Sequence, residues 1–203
     1  MIWGLINDLG QRAMTLNKWE QRRQLRRLLA DLALPLGSKA LDFGCGTGLF
    51  ADTFAAAGLT YHGYDIDKRV VSYARRIHPG HIFVSTQGEA ARHGPFDLVL
   101  ANCCFHHIPD DVLAEGLEWV KANLADRGTF LLIDLVVNPE DRSLLRRAFR
   151  TLERGSFLRR AEEYVAIVAR HLAVRRVEAD RSHMLSIPGN PMYNDVVVVE
   201  CGK

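Results

Sequence analysis

The chain has 203 residues, 48% of them apolar and 25% charged, with a formal charge of +2. That length accommodates one domain with a real hydrophobic core, and so small a net charge argues against holding a polyanion as the main role. The apolar start at Met1–Ile6 is cut short by Asp8, and no other stretch approaches the roughly 20 residues of a membrane span, so a cytoplasmic protein is expected.

From about Leu5 to Leu34 apolar residues recur at helical spacing. Leu25, Leu28, Leu29 and Leu32 share one face, Arg22, Arg23, Arg26 and Arg27 tend to the other, and Pro35 and Gly37 stop the helix. Strands and helices then alternate. Ala40–Phe43 reads as a short buried strand, and a run of glycines leads to a helix from about Leu49 to Ala57. Thr60–Tyr64 is a second strand, and Asp67 caps a helix to about Ile77 that Pro79-Gly80 ends. Strands follow at His81–Val84 and Phe96–Ala101, then a helix capped by Asp110 that reaches about Leu124, then a fifth strand at Gly128–Leu135. Helical patterns occupy 139–153 and 160–171. Two strand-like stretches, 173–184 and Tyr193–Glu200, come last with only the turn signal Ile187-Pro188-Gly189-Asn190-Pro191 between them. The alternation implies a parallel α/β sheet covered on both faces, closed by an antiparallel hairpin. A single domain is expected: a helical lid or brace at 1–37, a core at 38–137, and a helical segment with the terminal hairpin at 138–203.

The strand at Ala40–Phe43 runs into Gly44-x-Gly46-x-Gly48 and then a helix, which is the form of a nucleotide-binding turn. Glycines let the chain turn sharply and let a ligand lie against bare backbone. Leu49 stands where a dinucleotide fingerprint has Gly or Ala, so the spacing disfavours a dinucleotide. Asp65 follows the second strand, where a carboxylate can accept both hydroxyls of a ribose.

Leu41-Asp42-Phe43-Gly44-Cys45-Gly46-Thr47-Gly48 resembles the first motif of class I S-adenosylmethionine (SAM)-dependent methyltransferases, and Tyr64-Asp65-Ile66-Asp67 their second. Phe96–Leu100 followed by Phe105-His106-His107-Ile108-Pro109-Asp110 is similar to the fourth-strand region of their type 11/12 branch. The resemblance covers 38–137 most fully. It implies a Rossmann-like, doubly wound, mostly parallel seven-stranded sheet with its last strand antiparallel. It also implies SAM as cofactor, released as S-adenosylhomocysteine. On this pattern the methionine end lies against Gly44, Gly46 and the backbone near Ala101, Asp42 supports the loop, and Cys45, Gly48 and Asn102 belong with them to the cofactor-binding set. Asp65 would bind the ribose and Ile66 pack on the adenine. The family usually has an acidic residue after the third strand that meets the adenine amino group; Gln87 stands there, with Glu89 as a competing candidate. A glutamine carbonyl can accept that hydrogen bond.

The cofactor brings an activated methyl, so the protein's task is to orient an acceptor in line with it and to exclude water. His106 and His107 follow the fourth strand, where ligands meet an open α/β sheet, and are the candidate general bases. The other reading is that they shape the loop wall. Asp134, ending the fifth strand, either faces the pocket or orients the following loop, and Tyr193 and Asn194 either line the rim or sit on a strand edge.

Asn102-Cys103-Cys104-Phe105 is not the grip that amino-group nucleic-acid methyltransferases place on a flipped base, and the chain carries no Pro-Cys pair, so a small-molecule acceptor is expected and no nucleic acid. Cys103 and Cys104, taken as strand neighbours on opposite faces, are read with Cys45 and Cys201 as reduced core thiols. Trp3, Trp19 and the arginines at 22, 23, 26 and 27, with Arg146, Arg147, Arg150, Arg154, Arg159 and Arg160 around Gly155-Ser156-Phe157, suit either a solvated helix face or a hold on an acidic or lipid-like acceptor at a membrane surface. Two other functions share the loop: a SAM-binding protein without methyl transfer and an NAD-linked oxidoreductase. The sequence does not address oligomeric state.

Overall fold

The computed structural model describes residue 19 and residues 21–138, 157–187 and 190–203. Its frame is one seven-stranded sheet: β1 (Lys39–Phe43), β2 (Thr60–Tyr64), β3 (Ile82–Val84), β4 (Phe96–Asn102), β5 (Leu124–Leu135), β6 (Ala173–Ile187) and β7 (Asn190–Gly202). The spatial order is β3-β2-β1-β4-β5-β7-β6. β1 to β5 pair in parallel, whereas β7 runs antiparallel to both β5 and β6. The doubly wound α/β class read from the sequence is the observed one, and its terminal hairpin places the later strand, β7, inside and β6 at the edge.

Both faces of the sheet are apolar, so successive residues of the central strands serve opposite cores. On one face, Leu98 and Leu100 of β4 and Leu131 and Ile133 of β5 pack with Leu25, Leu28 and Leu29 of α1 (21–32), with Phe54 of α2 (Ala51–Ala56) and with Val71 of α3 (Lys68–Ile77). On the other, Val99, Phe130 and Leu132 meet Ala90 of α4 (Gln87–Ala91), Leu113, Leu117 and Val120 of α5 (Asp110–Asn123) and Tyr164 and Val168 of α6 (Ala161–Ala169). Burying such a side chain fully contributes about 1.5–3 kcal/mol, before the conformational entropy it costs. Two apolar layers of this kind outweigh the weak helix preference of short segments such as α2 and α4.

Several boundaries differ from those expected. Gly48–Phe50 form turns, so α2 begins at Ala51. Pro109, not Asp110, is the N-cap residue of α5, and Asp110 instead accepts a hydrogen bond from Arg159. β5 starts at Leu124, which pairs with Phe96 before a register shift, so the polar residues around Gly128 belong to the strand and not to a loop before it. Asp67 does cap α3, accepting from the Arg69 amide. The helical pattern at 139–153, Trp3, and the arginines at 146, 147, 150 and 154 lie outside the described residues, as do Gly155 and Ser156.

Register decides where the loops emerge. Phe43 is level with Tyr64 on one side and Ala101 on the other, and Tyr64 is level with Val84. The residues after β1, β2, β3 and β4 therefore leave the sheet along one rim. The direction in which successive strands are added across the sheet reverses between β1 and β4, and that is where open α/β sheets bind ligands.

Leu117 is fully buried in the α5 face of the core. Leu117→Ala is expected to lower stability by about 2–5 kcal/mol, measured as a drop in the urea midpoint.

Candidate active site

The glycine turn after β1 is held from beneath by backbone. The Gly44 and Cys45 amides both donate to the Tyr64 carbonyl oxygen, at 2.8 and 2.9 Å. Gly44 has φ +77°, and a Cβ there would stand 2.8 Å from the Cys104 Cβ, so only glycine lets the two loops approach. Gly48, with φ +78°, is closed in by the Phe83 ring, which a Cβ would meet at 2.7 Å. Gly46 differs: φ is +52° and nothing lies within 4 Å of the Cβ position. Its amide donates to Asp65 Oδ2 at 2.9 Å, while Asp65 Oδ1 accepts from the Asp67 amide at 2.9 Å. A carboxylate has about four lone-pair positions, so Asp65 retains acceptor capacity.

A cavity of about 610 Å³ opens along this rim, within the roughly 300–1,000 Å³ usual for small-molecule sites. Gly44, Asp65, Ile66, Gln87, Cys103, Cys104 and His107 line it, together with residues of α5 between Val112 and Val120. Ile66 is 82% exposed, an apolar side chain offered to the opening. Other expected site residues stand behind the wall. Asp42, Cys45 and Ala101 are buried, Gly48 is packed against Phe83, and Gly46 and Asn102 are half-buried. Glu89 is turned away from it: its carboxylate takes the Ser85 amide and the Thr86 hydroxyl at the start of α4.

The cysteine reading needs correction. β4 ends at Asn102, and Cys103 takes a left-handed conformation with φ +50°, so Cys103 and Cys104 form a loop at the cavity wall rather than a strand in the core. The Cys104 thiol donates to the Phe43 carbonyl oxygen at 3.3 Å, and burial pushes its pKa well up, which keeps it protonated.

The two histidines sit in different surroundings. His107 is exposed and lines the cavity. His106 is 1% exposed, with Nδ1 2.5 Å from Asp134 Oδ1, and is not among the residues that line the cavity. Asp134 is fully buried and also receives the Phe105 amide at 2.7 Å and its neighbour's, Leu135, at 2.7 Å, so it orients the loop and does not face the cavity. Arg159, which sequence reasoning placed only in a general arginine cluster, is 6% exposed and clamps the same loop. It donates to the carbonyl oxygens of Phe105, Ile108 and Phe157 and to Asp110 Oδ1, and lies over the Tyr164 ring. Nothing in its spacing marks it out from its neighbours.

Trp19 is exposed, with the Arg23 guanidinium over its ring, and Arg22 and Arg27 are engaged by Leu49 O and Asp180. Tyr193 and Asn194 belong to β7, paired with His183 and Ser182.

A methyltransferase-domain family model matches residues 18–173. The chain belongs to that family, as a class I SAM-dependent member, and SAM is the cofactor that goes with this membership. Its relatives include a ubiquinone biosynthesis O-methyltransferase of Thiobacillus denitrificans, 36% identical over 95 residues, covering 42% of this chain and 40% of that one. A trans-aconitate 2-methyltransferase of Rhizobium leguminosarum bv. trifolii is 35% identical over 108 residues, covering 48% and 41%. The chain thus spans about two fifths of the length of these curated relatives. Among solved structures, a SAM-dependent methyltransferase of Methanosarcina mazei superposes with a TM-score of 0.69 at 15% identity, covering 86% of this chain and 96% of that one. A magnesium protoporphyrin IX methyltransferase from Synechocystis, solved with bound SAM, gives 0.63 at 14% identity, covering 94% and 83%. These last likenesses show the fold. Among the described residues no helix is long and apolar enough to cross a membrane.

Asp42 sits behind the glycine turn, 2% exposed, with the Tyr61 hydroxyl donating to Oδ2 at 2.9 Å. Burial raises its pKa to about 7, partly offset by that hydroxyl. A carboxyl whose pKa rises on folding stabilises the folded state below its unfolded pKa, near 4, and loses that contribution as pH climbs to about 7. The urea midpoint is therefore expected to fall between pH 5 and pH 8 more steeply in the native protein than in Asp42→Asn.

Proposed function

We propose that the protein transfers the methyl of SAM to an O, N or C atom of a small-molecule acceptor, chiefly by holding the two in line. The observation that carries this reading is the alignment of Gly44, Asp65 and Cys103 along one rim of the sheet, around a cavity of the right size. The residues there fit the cofactor. The cradle at Gly44 admits no Cβ, Gly46 leaves bare backbone, and the Asp65 carboxylate keeps acceptor sites for two ribose hydroxyls. Bound there, SAM supplies a methyl activated by a sulfonium sulfur.

The roles assigned to the chain follow from these positions. Asp65 binds the ribose, Ile66 covers one face of the adenine, and Gln87 meets its edge. The methionine end lies over Gly44 and Gly46 and beside the backbone at Ala101 and Asn102. Asp42, Cys45 and Gly48 act from behind, Asp42 through Tyr61 and the other two by shaping the turn. His107 is the base where the acceptor must lose a proton, with His106 and Asp134 holding its loop. The relatives named for trans-aconitate and ubiquinone biosynthesis support an acceptor of metabolite size.

Titration calorimetry with SAM, S-adenosylhomocysteine and NAD tests the cofactor; binding of NAD with neither SAM compound would overturn the proposal. Asp65→Ala is expected to weaken S-adenosylhomocysteine binding at least about tenfold, since a buried bidentate contact to charge is lost. Incubating metabolite extracts with methyl-labelled SAM, read by mass spectrometry, identifies the acceptor. With that acceptor, His107→Ala should cut turnover at least about tenfold while leaving SAM affinity unchanged.

A further inference from the structure

We infer that Glu115 of α5 is the carboxylate that receives the adenine amino group of the cofactor, in the cavity that Gln87 also lines. The inference rests on the cofactor reading given under Proposed function and adds a residue outside the three sequence motifs. Val112, Glu115 and Gly116 stand at i, i+3 and i+4, so they share one face of α5, and all three line the cavity. Ile66 and Gln87 line the same cavity. Val112 is half exposed on that face, and Gly116 adds no side chain beside Glu115.

Two carboxylates line the cavity, Asp65 and Glu115, and no Lys or Arg is among the described residues that do so. Asp65 already accepts two backbone amides, one on each oxygen. Glu89, the acid nearest Gln87 in the chain, is engaged by Ser85 and Thr86. Glu115 makes no hydrogen bond or ion pair among the described residues, so its carboxylate is uncommitted at the edge of an otherwise largely apolar wall. An adenine edge carries an amino group with two N–H donors next to ring-nitrogen acceptors. The Gln87 amide can donate to a ring nitrogen and accept one of the two N–H groups. The second N–H needs an acceptor, and an ionised carboxylate makes the stronger bond. Glu115 would supply it, and a site with glutamine after β3 would thereby discriminate adenine from a base with a carbonyl at that position.

S-Adenosylhomocysteine and S-inosylhomocysteine differ at that position, the second carrying a carbonyl in place of the amine. Titration of both into the native protein, Glu115→Gln and Glu115→Ala separates the inference from the reading beneath it. Glu115 is exposed, and glutamine and alanine are good helix formers, so all three proteins should melt alike. The native protein is expected to prefer the adenosyl compound by at least about tenfold. Glu115→Ala should lose about tenfold in adenosyl affinity and gain in inosyl affinity, because carboxylate–carbonyl repulsion disappears with the charge. Glu115→Gln should fall between, since its neutral carbonyl still accepts. An unchanged adenosyl preference in Glu115→Ala would overturn the role given to Glu115 while leaving the cofactor site standing. Failure of the native protein to bind S-adenosylhomocysteine would overturn both.

Discussion

Phe43 is level with Tyr64 on one side and with Ala101 on the other, and everything at the candidate site depends on that register. Side chains alternate along a strand, so a slip of one residue would turn each strand's apolar set to the wrong face. Here both faces are apolar, so a slip is opposed by the misfit of side-chain size and shape in two close-packed cores. The same pairing brings the Gly44 turn, Asp65 and the Cys103-Cys104 loop to one level. The cavity is thus a consequence of sheet packing, not a separate construction of loops.

Around that rim the polar groups are arranged in two tiers. The outer tier (Asp65, Gln87, His107, Glu115) meets the cavity. The inner tier is buried and holds the outer one in place: Asp42 with Tyr61 behind the glycine turn, Asp134 with His106 and the Phe105 amide beneath the histidine loop, and Arg159 on that loop's carbonyls. Buried polar groups are costly unless each is satisfied, so these partners fix single positions for the loops they serve. Arg159 comes from the segment just before α6, and through it that segment is tied to the cavity wall.

Most of the architecture was legible because hydrophobic pattern and glycine chemistry are local signals. The strands at Thr60–Tyr64 and Phe96–Ala101, the cap at Asp67 and the glycine turn could all be read from neighbours in sequence. What could not be read depends on distant partners. Asp110 looked like a helix cap because its sequence position suits one, yet Arg159, 49 residues on, claims its carboxylate. Adjacent histidines look equivalent until a buried Asp134 takes one of them. Glu115 looks like any exposed helical acid, and only the fold brings it to the cavity that Gln87 lines. Cys103 and Cys104 depart from the strand pattern for a different reason. The left-handed bend at Cys103 has no marker in a non-glycine residue, so the strand appeared to run on.

The position of β7 has a consequence for how the protein comes into being. β5 lies in the middle of the sheet, but its second partner is a strand made more than fifty residues later, and β6, made first, waits at the edge for β7 to enter between them. Until residues 190–202 leave the ribosome, the row of amides and carbonyls along one side of β5 has nothing to pair with. An unpaired apolar strand is the species most prone to join another chain. Completion of the sheet is therefore a late, non-local event, and such events set slow folding rates. A chain interrupted before β7 would carry the whole glycine turn and the Asp65 rim, yet present an open, sticky edge.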